Sequence, residues 1–68
     1  MDNRCTGFVE WWDRTAGRGY IVPLGWQDPI AVRRDDIEGD CKSLSPEQQV
    51  TFALTLGSSG FEAKEVRP

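Results

Sequence analysis

The sequence predicts an all-β protein in which five short strands close, or nearly close, a small barrel. Three observations carry that prediction. Apolar residues alternate with small or polar ones over short runs, most cleanly in Val50-Thr51-Phe52-Ala53-Leu54-Thr55-Leu56. Turn signals rich in Gly, Pro, Asp and Ser separate those runs at close spacing. No apolar stripe of helical period lies between them.

Taken in order, Phe8–Trp12 reads as the first strand, dense in β-branched and aromatic residues. Adjacent strand residues face opposite ways, so Trp12 is the expected buried member of the Trp11-Trp12 pair. Asp13-Arg14-Thr15-Ala16-Gly17 is a loop, and Gly19–Pro23 a second strand that Pro23 helps to end. Leu24–Pro29 is a loop holding Gly25 and an exposed Trp26. Ile30–Arg34 is the third strand, with Ile30 and Val32 on one face and Ala31 and Arg33 on the other. The connection from Asp35 to Pro46 is the longest. Ser45-Pro46-Glu47-Gln48 has the signature of a helix start, but Val50–Leu56 follows at once and only a turn is expected. In that fourth strand Val50, Phe52, Leu54 and Leu56 are assigned inward. Gly57-Ser58-Ser59-Gly60 is a hairpin loop and Phe61–Val66 the fifth strand. Phe61 is read either as a plug of the hairpin or as an exposed contact.

The 68 residues are read as one domain over 1–68. A net charge of −3 and a pI near 4.7 argue against tight, sequence-independent phosphate binding. The charge is nevertheless uneven: Arg14, Arg18, Arg33 and Arg34 lie in the first half, ahead of a solvated acidic run of Asp35, Asp36, Glu38 and Asp40. With no histidine and only Cys5 and Cys41, a zinc site lacks ligands, and two free thiols are expected in preference to a disulfide. No nucleophile–base constellation and no cofactor motif is present, so neither an enzyme nor a cofactor is expected. Gly17-Arg18-Gly19 opens a strand, whereas a dinucleotide fingerprint must open a helix. No apolar run reaches the roughly 20 residues that span a bilayer and no secretory leader is visible; a soluble cytoplasmic protein with no membrane or small-molecule partner is expected.

Several segments resemble bacterial cold-shock proteins: Val9-Glu10-Trp11-Trp12-Asp13, Gly17-Arg18-Gly19-Tyr20-Ile21, Ile30-Ala31-Val32-Arg33-Arg34-Asp35-Asp36-Ile37, Lys42-Ser43-Leu44, Gln48-Gln49-Val50-Thr51-Phe52 and Ala63-Lys64-Glu65-Val66. Order and spacing match from about Thr6 to Val66. The resemblance implies a five-stranded antiparallel Greek-key barrel of the oligonucleotide/oligosaccharide-binding type, with its core over about 6–66. It also implies single-stranded DNA or RNA binding on a face built by the second and third strands. The family's Lys-Gly-Phe-Gly-Phe-Ile matches Ala16-Gly17-Arg18-Gly19-Tyr20-Ile21 here, and its Val-Phe-Val-His-Phe matches Ile30-Ala31-Val32-Arg33-Arg34. Aromatic positions have thus become Arg18, Ala31 and Arg34, the histidine Arg33, and the family's Lys-Trp is Glu10-Trp11. The aromatic before Lys-Ser-Leu is Cys41. The inward sites Val9, Ile21, Ile30, Val32, Val50, Phe52 and Val66 all stay apolar.

Two functional readings follow. In the first, the chain binds single-stranded nucleic acid with reduced or altered affinity, in transcription or RNA regulation, through Trp11, Arg18, Tyr20, Trp26, Arg33 and Arg34. Arginine planes stack on bases and also reach phosphate. Arg18, Tyr20 and Arg33 are expected on one face, Arg34 off it, and Glu10 close enough to repel phosphate. In the second, the same altered face takes a protein partner such as the transcription machinery, since Arg, Tyr and Trp are also enriched at protein interfaces.

Overall fold

Five strands hydrogen-bond around a closed ring in the computed structural model, which describes residues 4–40 and 42–68. They are β1 (Cys5–Asp13), β2 (Arg18–Pro23), β3 (Ile30–Arg33), β4 (Gln49–Gly57) and β5 (Gly60–Arg67). A 3-10 turn, Arg34–Asp36, follows β3. Each expected strand is present, most of them a residue or more longer than expected. The exception is β3, which ends at Arg33 because the 3-10 turn claims Arg34. The order around the barrel is β1-β2-β3-β5-β4. Neighbours are antiparallel except β3 and β5, which meet in parallel where Ala31 faces Glu62.

Alternation of side chains fills the interior. All of Val9, Ile21, Ile30, Val32, Val50, Phe52 and Val66 are at most 4% exposed. Burying a side chain of this kind contributes roughly 1.5–3 kcal/mol, which makes this row the main source of stability in so small a chain. Trp12, Ile37, Leu44 and Ala63 complete the cluster. Cys5 is a free, partly buried thiol packed against it, whereas Cys41 lies outside the described residues.

Two bulges adjust the pattern. Val9 pairs Ile21 and Trp11 pairs Tyr20, which leaves Glu10 without a partner, so Glu10 and Trp11 are both exposed between buried Val9 and Trp12. On β5, the register shift between Thr51 and Ala53 leaves an extra residue near Glu65, whose φ is +50°. That residue lets Ala63 and Val66, three apart, both face inward. One assigned core position is left uncovered: Leu56 is 70% exposed. It lies on the expected side of β4, but near the tip of the β4–β5 hairpin, where it pairs with Phe61 past the end of the core.

The long connection is tied down at several points. Ile37 bridges Val66 in parallel, the Glu38 N–H donates to the Val66 carbonyl at 2.8 Å, and Leu44 is buried. Ser45 to Gln48 forms only a turn, closed by the Gln48 N–H on the Ser45 carbonyl at 3.1 Å. Most of the acidic run is solvated as expected: Asp35, Glu38 and Asp40 are exposed, Glu38 while pairing with Arg67 at 2.7 Å. Asp36 differs, half-buried and paired with Lys64 at 3.0 Å.

Candidate functional site

The outward face of β1, β2 and β3 divides into an aromatic half and an arginine half. Register places Trp11 opposite Tyr20, Tyr20 opposite Ala31, and Arg18 opposite Arg33. Arg18 and Tyr20, two apart on β2, share a side, so Arg18, Tyr20 and Arg33 occupy one face, as the sequence implies.

In the aromatic half, the Trp11 and Tyr20 rings stack with centroids 5.9 Å apart and planes 29° from parallel, and each residue is 44% exposed. A second pair stands beyond Ala31. Trp26, from the β2–β3 loop, meets Phe61, at the start of β5, edge to face at 5.5 Å and 74°. Between the pairs lies a cleft of about 490 Å³, with Tyr20 on one side, Trp26 and Phe61 on the other, and Ala31 and Asp28 also lining it. Ala31 exposes only a methyl group, so no ring from β3 occupies this cleft. Phe61 is therefore the exposed contact of its two sequence readings and no plug. Its partnership with Trp26 depends on the β3–β5 pairing, a long-range contact that no local pattern announces.

The arginine half is a cavity of about 360 Å³ lined by Ala16, Gly17, Arg18, Arg33, Arg34 and Asp35. The Asp13 carboxylate builds its rim, accepting the Thr15 and Ala16 N–H groups at 3.0 Å each, and the Gly17 N–H donates to the Asp13 carbonyl at 2.8 Å. Gly17 has φ +69°, and a Cβ there would lie 2.8 Å from Arg34 Cζ. The bare glycine thus gives the Arg34 guanidinium a seat, where Nη2 donates to the Arg14 carbonyl at 2.6 Å and the Arg34 N–H to the Gly17 carbonyl at 2.8 Å. Continued extended structure would have turned Arg34 away; the 3-10 turn returns it to this cavity beside Arg18 and Arg33. Among the described residues neither Arg18 nor Arg33 forms an ion pair.

Glu10, the bulge residue, lines a separate groove with Phe8, Val9, Val22 and Glu47, which none of the arginines lines. Among the described residues no cluster of His, Cys, Asp and Glu could hold a metal ion, and no helix is long and apolar enough to cross a membrane. Beside the face, the hydrogen bond to Asp36, with a second to Glu62, holds the Lys64 ammonium protonated above its ordinary range.

The family described as "'Cold-shock' DNA-binding domain" matches residues 5–68. The chain belongs to the cold-shock domain family. Members of that family generally bind nucleic acid. This cold-shock domain is 41% identical over 68 residues to cold shock protein CapB of Pseudomonas syringae pv. tomato, covering 98% of the chain and 97% of that protein. It is 37% identical to the major cold shock protein CspA of Pseudomonas aeruginosa, covering 98% and 97%. It is 36% identical to cold shock-like protein CspB of Yersinia pestis, covering 97% and 96%. Among solved structures, drosophila Unr CSD456 superposes with a TM-score of 0.80 at 14% identity, over 97% of this chain and 26% of that longer one. At that identity the likeness speaks for the barrel alone. Within this cold-shock domain Arg18, Ala31 and Arg34 all lie on the outward face or its edge, while the inward row from Val9 to Val66 is buried.

Proposed function

We propose that this cold-shock domain binds single-stranded RNA or DNA across the outward face of β1, β2 and β3, as a binding module in transcription or RNA regulation with no catalytic role. Bases stack on Trp11, Tyr20 and the Trp26–Phe61 cleft, and the backbone lies against Arg18, Arg33 and Arg34. The observation that carries this reading is the exposed Trp11–Tyr20 stack lying directly beside two arginines that have no ion-pair partner among the described residues. Each base stacked on an aromatic ring contributes about 1–3 kcal/mol, so the missing rings at 18, 31 and 34 leave this face weaker than a fully aromatic one. The arginines offset part of that deficit and make the binding more dependent on salt.

Tryptophan fluorescence titration with short single-stranded oligonucleotides at two salt concentrations tests the reading. Quenching that saturates and weakens with salt supports it. Unchanged emission at high oligonucleotide concentration removes it. The protein-partner reading then takes its place, favoured by exposed Leu56 beside exposed Phe61 at the hairpin tip.

A further inference from the structure

We propose that the cavity formed by Arg18, Arg33 and Arg34 takes the terminal phosphomonoester of a single-stranded nucleic acid, so that this face grips a strand end as well as stacking its bases. The inference rests on the nucleic-acid reading and specifies the ligand group at one end of that face.

Its first support is an uncompensated charge. Arg18 and Arg33 are Cα partners on adjacent antiparallel strands, where like charges directly opposite repel. Three carboxylates are close in sequence or register, yet none pairs with either guanidinium among the described residues. Asp13, opposite Arg18 on the β1 side, accepts the N–H groups of its own turn. Asp36 accepts the Arg33 backbone N–H at 3.2 Å and holds Lys64. Asp35 lines the cavity and is exposed. An anion seated between the two guanidiniums relieves that repulsion. Arg34 adds a third guanidinium already fixed by Gly17 and the Arg14 carbonyl, with further N–H donors to offer.

Charge and position favour a strand end over an internal phosphate. A phosphomonoester carries about −1.5 to −2 at neutral pH, matching two or three guanidiniums better than the single charge of a diester. Arg18 is the first residue of β2 and Arg33 the last of β3, so the cavity lies at the limit of the stacking face. Tyr20 is two strand residues from Arg18, roughly 7 Å, which puts a stacked base next to the bound group. At that same limit Asp13 presents a carboxylate that disfavours the polyanion running on past the arginines. Asp35, in the cavity lining, opposes any anion there and is outnumbered by three guanidiniums.

The test uses three oligonucleotides of one sequence, ending in 5′-phosphate, in 3′-phosphate, or in hydroxyls at both ends, titrated by tryptophan fluorescence. One phosphorylated form is expected to bind about tenfold more tightly than the hydroxyl form, the size of a charge-assisted hydrogen bond. In Arg18→Gln and Arg33→Gln, with the fold checked by circular dichroism, that ratio should collapse toward one. Simple loss of positive charge would instead weaken all three forms alike and leave the ratio standing, which overturns the proposal. Equal binding of all three forms by the unaltered protein also overturns it, while the nucleic-acid reading stands. No binding of any form removes both.

Discussion

Trp11 on β1 and Tyr20 on β2 are cross-strand partners whose rings stack 5.9 Å apart on the outer surface of the barrel. The bulge at Glu10 makes this possible without disturbing the core. It inserts one residue between Val9, paired with Ile21, and Trp11, paired with Tyr20, and both flanking core residues, Val9 and Trp12, remain buried. Because the two rings are surface groups, their removal is a binding experiment more than a stability experiment. Trp11→Ala and Tyr20→Ala are each expected to weaken oligonucleotide binding by about 1–3 kcal/mol. Tyr20→Phe keeps the ring and should bind nearly as the unaltered protein does. Isothermal titration of the three variants checks this, and a loss in Tyr20→Phe equal to that in Tyr20→Ala would show that the hydroxyl, not the ring, matters.

Phe61 carries a separate prediction, because it joins a loop after β2 to a strand that arrives last in the chain. Phe61→Ala removes one wall of the cleft and leaves Trp26 without its edge-to-face partner. An aromatic pair of this kind contributes about 0.5–1.5 kcal/mol beyond area burial, so a small fall in stability and weaker binding are both expected. Tryptophan emission in the free protein should shift to the red as Trp26 becomes wetter. Unchanged emission together with unchanged affinity would take Phe61 out of the interface.

Local pattern places some of these residues and misses others. The inward row from Val9 to Val66 is legible because a period of two decides the face of each residue once the strands are known. Arg18, Tyr20 and Arg33 are legible as one face for the same reason. Leu56 is not: alternation gives its side, but whether anything covers that side depends on where the barrel ends. Arg34 fails differently, since a three-residue 3-10 turn after β3 changes its direction. The Trp26–Phe61 pair and the ion pairs of Asp36 and Glu38 depend on β5 lying beside β3 and the following turn, contacts that connect segments far apart in sequence.

Lys64 gives a prediction about pH. Its hydrogen bond to Asp36 at 3.0 Å ties β5 to the 3-10 turn, and Glu62 adds a second partner at 3.3 Å. The folded-state pKa is raised above the ordinary 10.5, with Asp36 as the largest cause. A group raised in this way contributes its stability fully below the unfolded pKa and loses it as pH rises through the folded value. The contribution is therefore intact at neutral pH and fades only in the alkaline range above 10.5. Asp36→Asn should be less stable than the unaltered protein at pH 7, and the gap should narrow as the pH passes that range. Thermal melts at neutral and alkaline pH measure the gap, and one that stays constant would separate the stability difference from the charge of Lys64.

Glycines at two positions should respond differently to the same substitution. Gly19, in β2 opposite Trp12, has ordinary strand geometry, but a Cβ there would overlap the Trp11 carbonyl oxygen and lie 2.9 Å from Trp12 Cε3. Backbone cannot move aside without disturbing the β1–β2 ladder, so Gly19→Ala is expected to cost about 3 kcal/mol through overpacking. It should also shift Trp11 and weaken oligonucleotide binding. Gly25, in the next loop, has φ +84° with open space where a Cβ would stand, so Gly25→Ala meets only the left-handed backbone penalty of about 1–2 kcal/mol. Its effect on binding should be small. Chemical denaturation of both variants gives the order directly. If Gly25→Ala proves the more destabilising of the two, then close approach of β2 to the Trp11 carbonyl is not what requires a glycine at 19.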